Sequence, residues 1–206
     1  MNSHPLVSCI ITNYNYQQFV VESIESALKQ TYPKMEIIVV DDGSTDNSLQ
    51  YIRPYQNRLD LICQPNSGVV EARNNGGRRA TGEFIFFLDA DDILHPQYVE
   101  KLVLAFNHQD NPNLAIAYSD CRFCGRFTSL VRSHPWDVKK LLYRNYIISA
   151  ALMHKKAFDQ VGGYHVDLNK VASFEDWDLW LSFVEAGYQG LYVPGDLYFY
   201  RIHGRG

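Results

Sequence analysis

A fourfold alternation of short apolar runs with segments of helical spacing constrains this chain more than any other feature. Leu6 to Thr12 is a β-type run, and Phe19, Ile24, Ala27 and Leu28 then recur at helical spacing before Thr31-Tyr32-Pro33. Glu36 to Val40 is a second, mostly apolar run without alternation, the pattern of a strand covered on both faces. It leads into Asp41-Asp42-Gly43-Ser44, where Ser44 or Thr45 is predicted to cap a helix through Ile52. Arg58 to Cys63 reads as a third strand and Gly68 to Ala80 as a helix. Glu83 to Leu88 is a fourth strand, ending in Asp89-Ala90-Asp91-Asp92. Right-handed crossovers return such a chain to one sheet, so the fold class is α/β: a Rossmann-like, open, twisted, mostly parallel sheet with helices on both faces. Ligands then belong at the carboxyl ends of the strands.

Beyond a helix from Pro96 to about Asn107 the rhythm loosens. Leu114 to Ser119 reads as a strand and Phe123 to Arg132 as irregular or hairpin structure. Trp136 to Tyr143 and Glu175 to Ala186 read as helices, and Gly187 to Tyr200 as two short strands around Pro194-Gly195. Neither a linker nor an internal repeat interrupts the chain, so residues 1–206 are expected to form one domain, with a nucleotide-binding half (1–110) and a second half (111–206). A length of 206 residues with 46% hydrophobic content suits one substantial core.

Charge narrows the partners. With 19 Lys and Arg against 23 Asp and Glu, the net charge of −4 argues against nucleic-acid binding by bulk charge. No apolar stretch approaches the roughly 18 residues of a membrane span, so any membrane association is expected to be peripheral. The start Met1-Asn2-Ser3-His4-Pro5 lacks the pattern of a secretory signal, so the expected location is cytoplasmic, including the inner face of the membrane. Four cysteines are too few for a disulfide scaffold, and Cys9 and Cys63 read as small core residues. Cys121 and Cys124 form a C-x-x-C, but without a second such pair His134 would not complete a zinc site.

Asp41, Asp42, Asp89, Asp91 and Asp92 end two strands of the inferred sheet, which places five acids on one rim. A divalent cation would offset their repulsion, and Mg²⁺ or Mn²⁺ typically takes one or two protein carboxylates and leaves other positions to substrate phosphates. A nucleoside diphosphate fits those positions. Strand-end acids that merely cap helices are the plain alternative.

The chain resembles the family-two glycosyltransferases with the GT-A fold through five segments: residues 7–15 (Val7 to Asn15), 39–46 (Val39 to Asp46), Ala72-Arg73-Asn74, 82–92 (Gly82 to Asp92) and Glu175-Asp176-Trp177. The resemblance implies that Thr12 and Tyr14 line a nucleotide pocket and that Asp42 accepts a hydrogen bond from the base, with a uracil N–H as a suitable donor. Arg73 would steady phosphate and Asp89 or Asp91. Metal coordination would fall chiefly to Asp91, with Asp89 near the ribose or a metal-bound water, His203 nearby and Asp92 as a helix cap. Asp176 would be the general base of a single, inverting displacement. Val161-Gly162-Gly163-Tyr164 resembles the family's segment before the acidic helix, and the second half would bind the acceptor. Trp136, Tyr143, Tyr146 and Tyr164 are candidates for stacking on sugar rings or for core packing. The chain ends three residues after His203, so a loop closing over the donor would be incomplete.

The implied activity is metal-dependent transfer of a sugar from a nucleotide-sugar donor, UDP-linked in the first instance, to a saccharide or lipid-linked saccharide, in cell-surface polysaccharide biosynthesis. Two other readings compete: a non-catalytic nucleotide-sugar-binding module, and a sugar nucleotidyltransferase, against which the missing glycine-rich phosphate loop counts. Acceptor, linkage and oligomeric state have no signature in the sequence.

Overall fold

A computed structural model describes residues 4–165 and 174–204; residues 1–3 and 206, which carried the expectations about the termini, lie outside them. The first half alternates as expected: β1 (Val7–Asn13), α1 (Val20–Leu28), β2 (Met35–Asp41), α2 (Ser48–Ile52), β3 (Asp60–Cys63), α3 (Val69–Arg79) and β4 (Phe84–Asp89). The second half contains β5 (Ile93–Leu94), α4 (Tyr98–Asn107), β6 (Leu114–Gly125), β7 (Ser129–Val131), α5 (Val138–Leu141), β8 (Leu152–His154), α6 (Lys155–Gln160), α7 (Glu175–Glu185) and β9 (Gln189–Ile202).

One sheet takes strands from both halves in the order β3-β2-β1-β4-β8-β6-β9-β5, with β7 paired to β6. β3, β2, β1 and β4 are parallel, whereas β8 runs antiparallel to both β4 and β6. The order reverses at β1, between the two crossovers, and in such sheets the crevice for a ligand opens at that point. Register then decides which side chains meet there: Thr12 of β1 pairs with Asp89 of β4, and Asn13 with Asp41 of β2.

The side-chain period of two sorts the strands into two apolar layers. Val7, Cys9 and Ile11 pack with Phe84, Phe86 and Leu88 beneath α1 and α4. Ile10, Ile38 and Val40 pack with Ile85 and Phe87 on the other face, with Ala72 of α3, Phe158 of α6 and Leu179 of α7. α3 lies close against the sheet because Gly76 has no side chain: a Cβ there would stand 2.3 Å from Ile10 Cγ2.

Several local expectations are corrected. The helix after β2 begins at Ser48, because Asp46 accepts the Ser48 N–H at 2.9 Å while Ser44 bonds Asp41 and Thr45 bonds Asn15. The Trp136–Tyr143 helix shrinks to α5, and Gly187–Tyr200 is one strand, not two. Pro194 and Gly195 are absorbed as a bulge between Val193 and Asp196, where the Asp120 carboxylate accepts the Gly195 N–H at 3.1 Å. Cys63 is exposed on the edge strand β3, unlike the fully buried Cys9. Cys121 and Cys124 lie along β6, where a spacing of three turns their thiols to opposite faces.

Candidate active site

A cleft of about 660 Å³ opens at the carboxyl ends of β1 and β4, lined by Thr12, Tyr14, Asp42, Arg73, Asp89 and Asp91 together with Tyr16 and Tyr200. Its floor is set by the loop after β1. Asn15 sits in the left-handed region at φ 59° and its Oδ1 accepts the backbone N–H groups of Thr45 and Asp46 at 2.7 and 3.2 Å. Asparagine tolerates that conformation better than most residues. Tyr14, in the same loop, is 44% exposed at the cleft.

The five acids divide into two groups. Asp42, Asp89 and Asp91 face the cleft. Asp41 is buried, accepting from Asn13 Nδ2 at 2.8 Å and Ser44 Oγ at 2.6 Å. Asp92 is also buried, and the expectation that it caps a helix fails: α4 starts at Tyr98. Its carboxylate instead accepts the Tyr198 hydroxyl and the Arg201 N–H, the latter at 2.8 Å, which fastens β9 to the rim. Burial, reinforced by Asp89 and Asp91, pushes the Asp92 pKa well up. The Asp42 carboxylate accepts from Gln64 Nε2, Ser67 N and Gly68 N at 2.7–2.9 Å, which ties it to the start of α3.

Arg73 organises the opposite wall. It is 3% exposed and donates through Nη2 to Asp89 Oδ1 at 2.9 Å and through Nη1 to Glu175 Oε1 and Asp176 Oδ1 at 3.0 Å. One guanidinium thus joins α3, β4 and α7. The pairing with Asp89 matches the sequence expectation, whereas Asp91 is not among its partners. Arg78 and Arg79 are exposed and pair with Glu71 and Asp60.

Asp176 does not itself line the cleft but stands against it through Arg73. Its Oδ1 also accepts the Tyr164 hydroxyl at 3.1 Å, leaving Oδ2 with no hydrogen bond among the described residues. Burial pushes its pKa up to about 6, with Arg73 opposing and Asp89 and Glu175 reinforcing. Tyr164 is itself held at both ends: its ring is buried beside the Arg73 guanidinium, 5.2 Å from ring centre to Cζ. Its backbone N–H and carbonyl bond the Asn74 side chain at 2.9 and 2.8 Å. Neither Asn74 nor the Tyr164 hydroxyl carries a role in the sequence reading; the adjacent glycine pair was the available signal. Gly163 has φ 75°, and a Cβ there would meet Asn74 Oδ1 at 2.7 Å.

Of the other aromatic candidates, Trp136 packs over Gly190 and Tyr146 bonds Asp137, so both serve the core, while Tyr143 is 87% exposed.

His203 reaches the rim from β9's end. Its Nε2 lies 2.7 Å from Asp91 Oδ2, and its ring packs on Phe19 and Tyr16 at 4.9 and 5.7 Å. Burial raises the Asp91 pKa, and contact with His203 opposes the rise. No group of three or more metal-binding side chains exists among the described residues. A Mg²⁺ or Mn²⁺ ion that shares its coordination with a diphosphate needs no such group. The Asp91 carboxylate and the His203 imidazole nitrogen, which meet at the rim, offer oxygen and nitrogen donors that suit such an ion, while Asp89 is held by Arg73.

Comparisons with known proteins identify the family and the fold. The model of the family described as glycosyl transferase family 2 matches residues 8–162. The putative glycosyltransferase EpsE of Bacillus subtilis is 32% identical over 206 residues, covering 96% of this chain and 73% of that protein. Among solved structures, the mannosyltransferase PcManGT of Pyrobaculum calidifontis, in complex with GDP-Man and Mn²⁺, superposes with a TM-score of 0.77 at 22% identity, covering 100% of this chain and 59% of that one. S. aureus TarS in complex with UDP-GlcNAc gives a TM-score of 0.80 at 19% identity, covering 97% and 59%. The first three curated relatives are spanned over only 27–73% of their length. The architecture is the GT-A fold.

Proposed function

This chain belongs to glycosyl transferase family 2, and from that premise we propose that it transfers a sugar, with inversion, from a nucleoside-diphosphate donor to a saccharide or lipid-linked saccharide. The observation that carries the reading is the Arg73 bridge, which holds the strand-end carboxylate Asp89 and the helix-start carboxylate Asp176 in one constellation beside the cleft.

In this reading Thr12, Tyr14 and Asp42 receive the nucleoside, with UDP as the first candidate because the similar TarS structure holds UDP-GlcNAc. Asp91, with His203, would hold Mn²⁺ or Mg²⁺, with Asp89 near the ribose or a metal-bound water; when bound, the ion would neutralise charge developing on the departing diphosphate. Asp176 Oδ2, which has no hydrogen bond among the described residues, accepts the proton of the acceptor hydroxyl as its oxygen bonds to the anomeric carbon from the side opposite the diphosphate. The bond to the diphosphate breaks in the same displacement, hence the inversion. Arg73 and Tyr164 fix Oδ1, so that the free lone pairs keep one direction. Glycan assembly at the cell surface is the proposed setting.

Calorimetry tests the donor half of this reading. Titrating UDP, GDP or TDP into the folded protein should release heat in the presence of Mn²⁺ and far less in its absence. Absence of binding by all three with Mn²⁺ present would remove the basis of the proposal.

A further inference from the structure

Positive charge is unevenly spread along this acidic chain. Residues 122–144 contain six of the 19 Lys and Arg but only one of the 23 Asp and Glu, Asp137. Arg122 is paired with Asp196, and the Asp137 carboxylate accepts the Lys140 backbone N–H at 3.1 Å. Arg132, Lys139, Lys140 and Arg144 are exposed and have no acidic partner among the described residues; Lys140 meets only the ring of His134.

A merely solvated basic stretch would carry polar neighbours. Here Val138, Leu142 and Tyr143 stand in solvent at 36%, 59% and 87% exposure. Val138 and Leu142 are four residues apart and share the outward face of the α5 turn. The inward face is anchored: Leu141 is fully buried, and its carbonyl accepts the Trp177 indole N–H at 2.6 Å. Phe174, 58% exposed, packs on Trp177 with ring centres 6.1 Å apart and extends the apolar surface. The result is a turn that is anchored beneath, apolar on top and flanked by cations with no acidic partner among the described residues. A soluble polyanion would engage the cations alone, whereas an anionic bilayer takes up the apolar side chains as well.

We propose that residues 132–144 form a docking surface for an anionic phospholipid bilayer, with Leu142 and Tyr143 entering the headgroup region and Arg132, Lys139, Lys140 and Arg144 meeting the lipid phosphates. The Trp177 contact places this surface beside Asp176. If Asp176 is the base, the bilayer presents a membrane-anchored acceptor to it; docking itself does not depend on that assignment.

Vesicle flotation without donor or metal tests the docking alone. The protein should float with vesicles of mixed phosphatidylcholine and phosphatidylglycerol, less so as salt rises, and hardly at all with phosphatidylcholine alone. Replacing three cations together, Lys139→Gln, Lys140→Gln and Arg144→Gln, should lower partitioning about a hundredfold. Leu142→Ser with Tyr143→Ser should lower it about tenfold or more. Lys29→Gln with Arg79→Gln, exposed but far along the chain, should leave it unchanged. All these positions are exposed, and circular dichroism verifies that the variants are folded. Failure of the wild-type protein to float with mixed vesicles overturns the proposal, as does wild-type partitioning of either surface variant. So does equal retention on a soluble anionic polysaccharide that ignores the Leu142 and Tyr143 changes.

Discussion

At the scale of single residues, Asp176 lies between opposing influences: burial, Asp89 and Glu175 raise its pKa to about 6, while Arg73 and Tyr164 favour the carboxylate. A base must be ionised to accept a proton, so kcat/KM should rise with pH up to about 6 and flatten above it. Below that the rate should fall about tenfold per pH unit. Tyr164→Phe removes a hydrogen bond that favours the ionised form, so the acidic limb should move to higher pH; an unmoved limb would show that Tyr164 only fills space. Asp176→Asn should cost about a hundred- to ten-thousandfold in turnover while calorimetric donor affinity stays close to wild type, and unchanged turnover would dismiss it as the base. Asp176, Arg73 and Asp89 each stand in a short recognisable segment, and the structure brings the three side chains together. Tyr164 was not legible in the sequence, because one tyrosine among 14 gives no sign of where its hydroxyl points, and here Asn74, 90 positions away, decides it. Asp92 was misread for the same reason: its partners Tyr198 and Arg201 are more than 100 residues away along the chain.

Among the elements, α3 shows how a helix can be placed by what a residue lacks. Alanine is ordinarily the better helix former by roughly 0.5–1 kcal/mol, yet Gly76→Ala should destabilise the protein by about 1–3 kcal/mol because its Cβ would press into Ile10. Thermal unfolding should then begin several degrees lower, and an unchanged or higher midpoint would mean that α3 shifts freely on the sheet. The long periodic elements of the first half were readable because each carries its pattern within itself. β5 and β8, of two and three residues, carry none; pairing with β9, and with β4 and β6, makes them strands. β9 looked like two strands because Pro194-Gly195 is a breaker locally, and only Asp120, on the neighbouring strand, turns the break into a bulge.

For the molecule as a whole, Arg73 joins three elements from both halves of the chain. Arg73→Met should leave three neighbouring carboxylates without their common cation and cost about 3–5 kcal/mol, read as a lower urea midpoint at neutral pH. Part of that loss should return as the pH is lowered and the carboxylates take up protons; a variant as stable as wild type at pH 7 would mean the bridge is dispensable. The rim is finished by β9, where Arg201 reaches back to the Asp91 carbonyl and to Glu22 of α1. That return has a consequence for biosynthesis. On the ribosome, the early strands emerge long before the segment that completes their ligand-binding edge. A nascent chain can therefore pair β1 with β2 and β4 well before β9 emerges to bring Arg201 back against the Asp91 carbonyl.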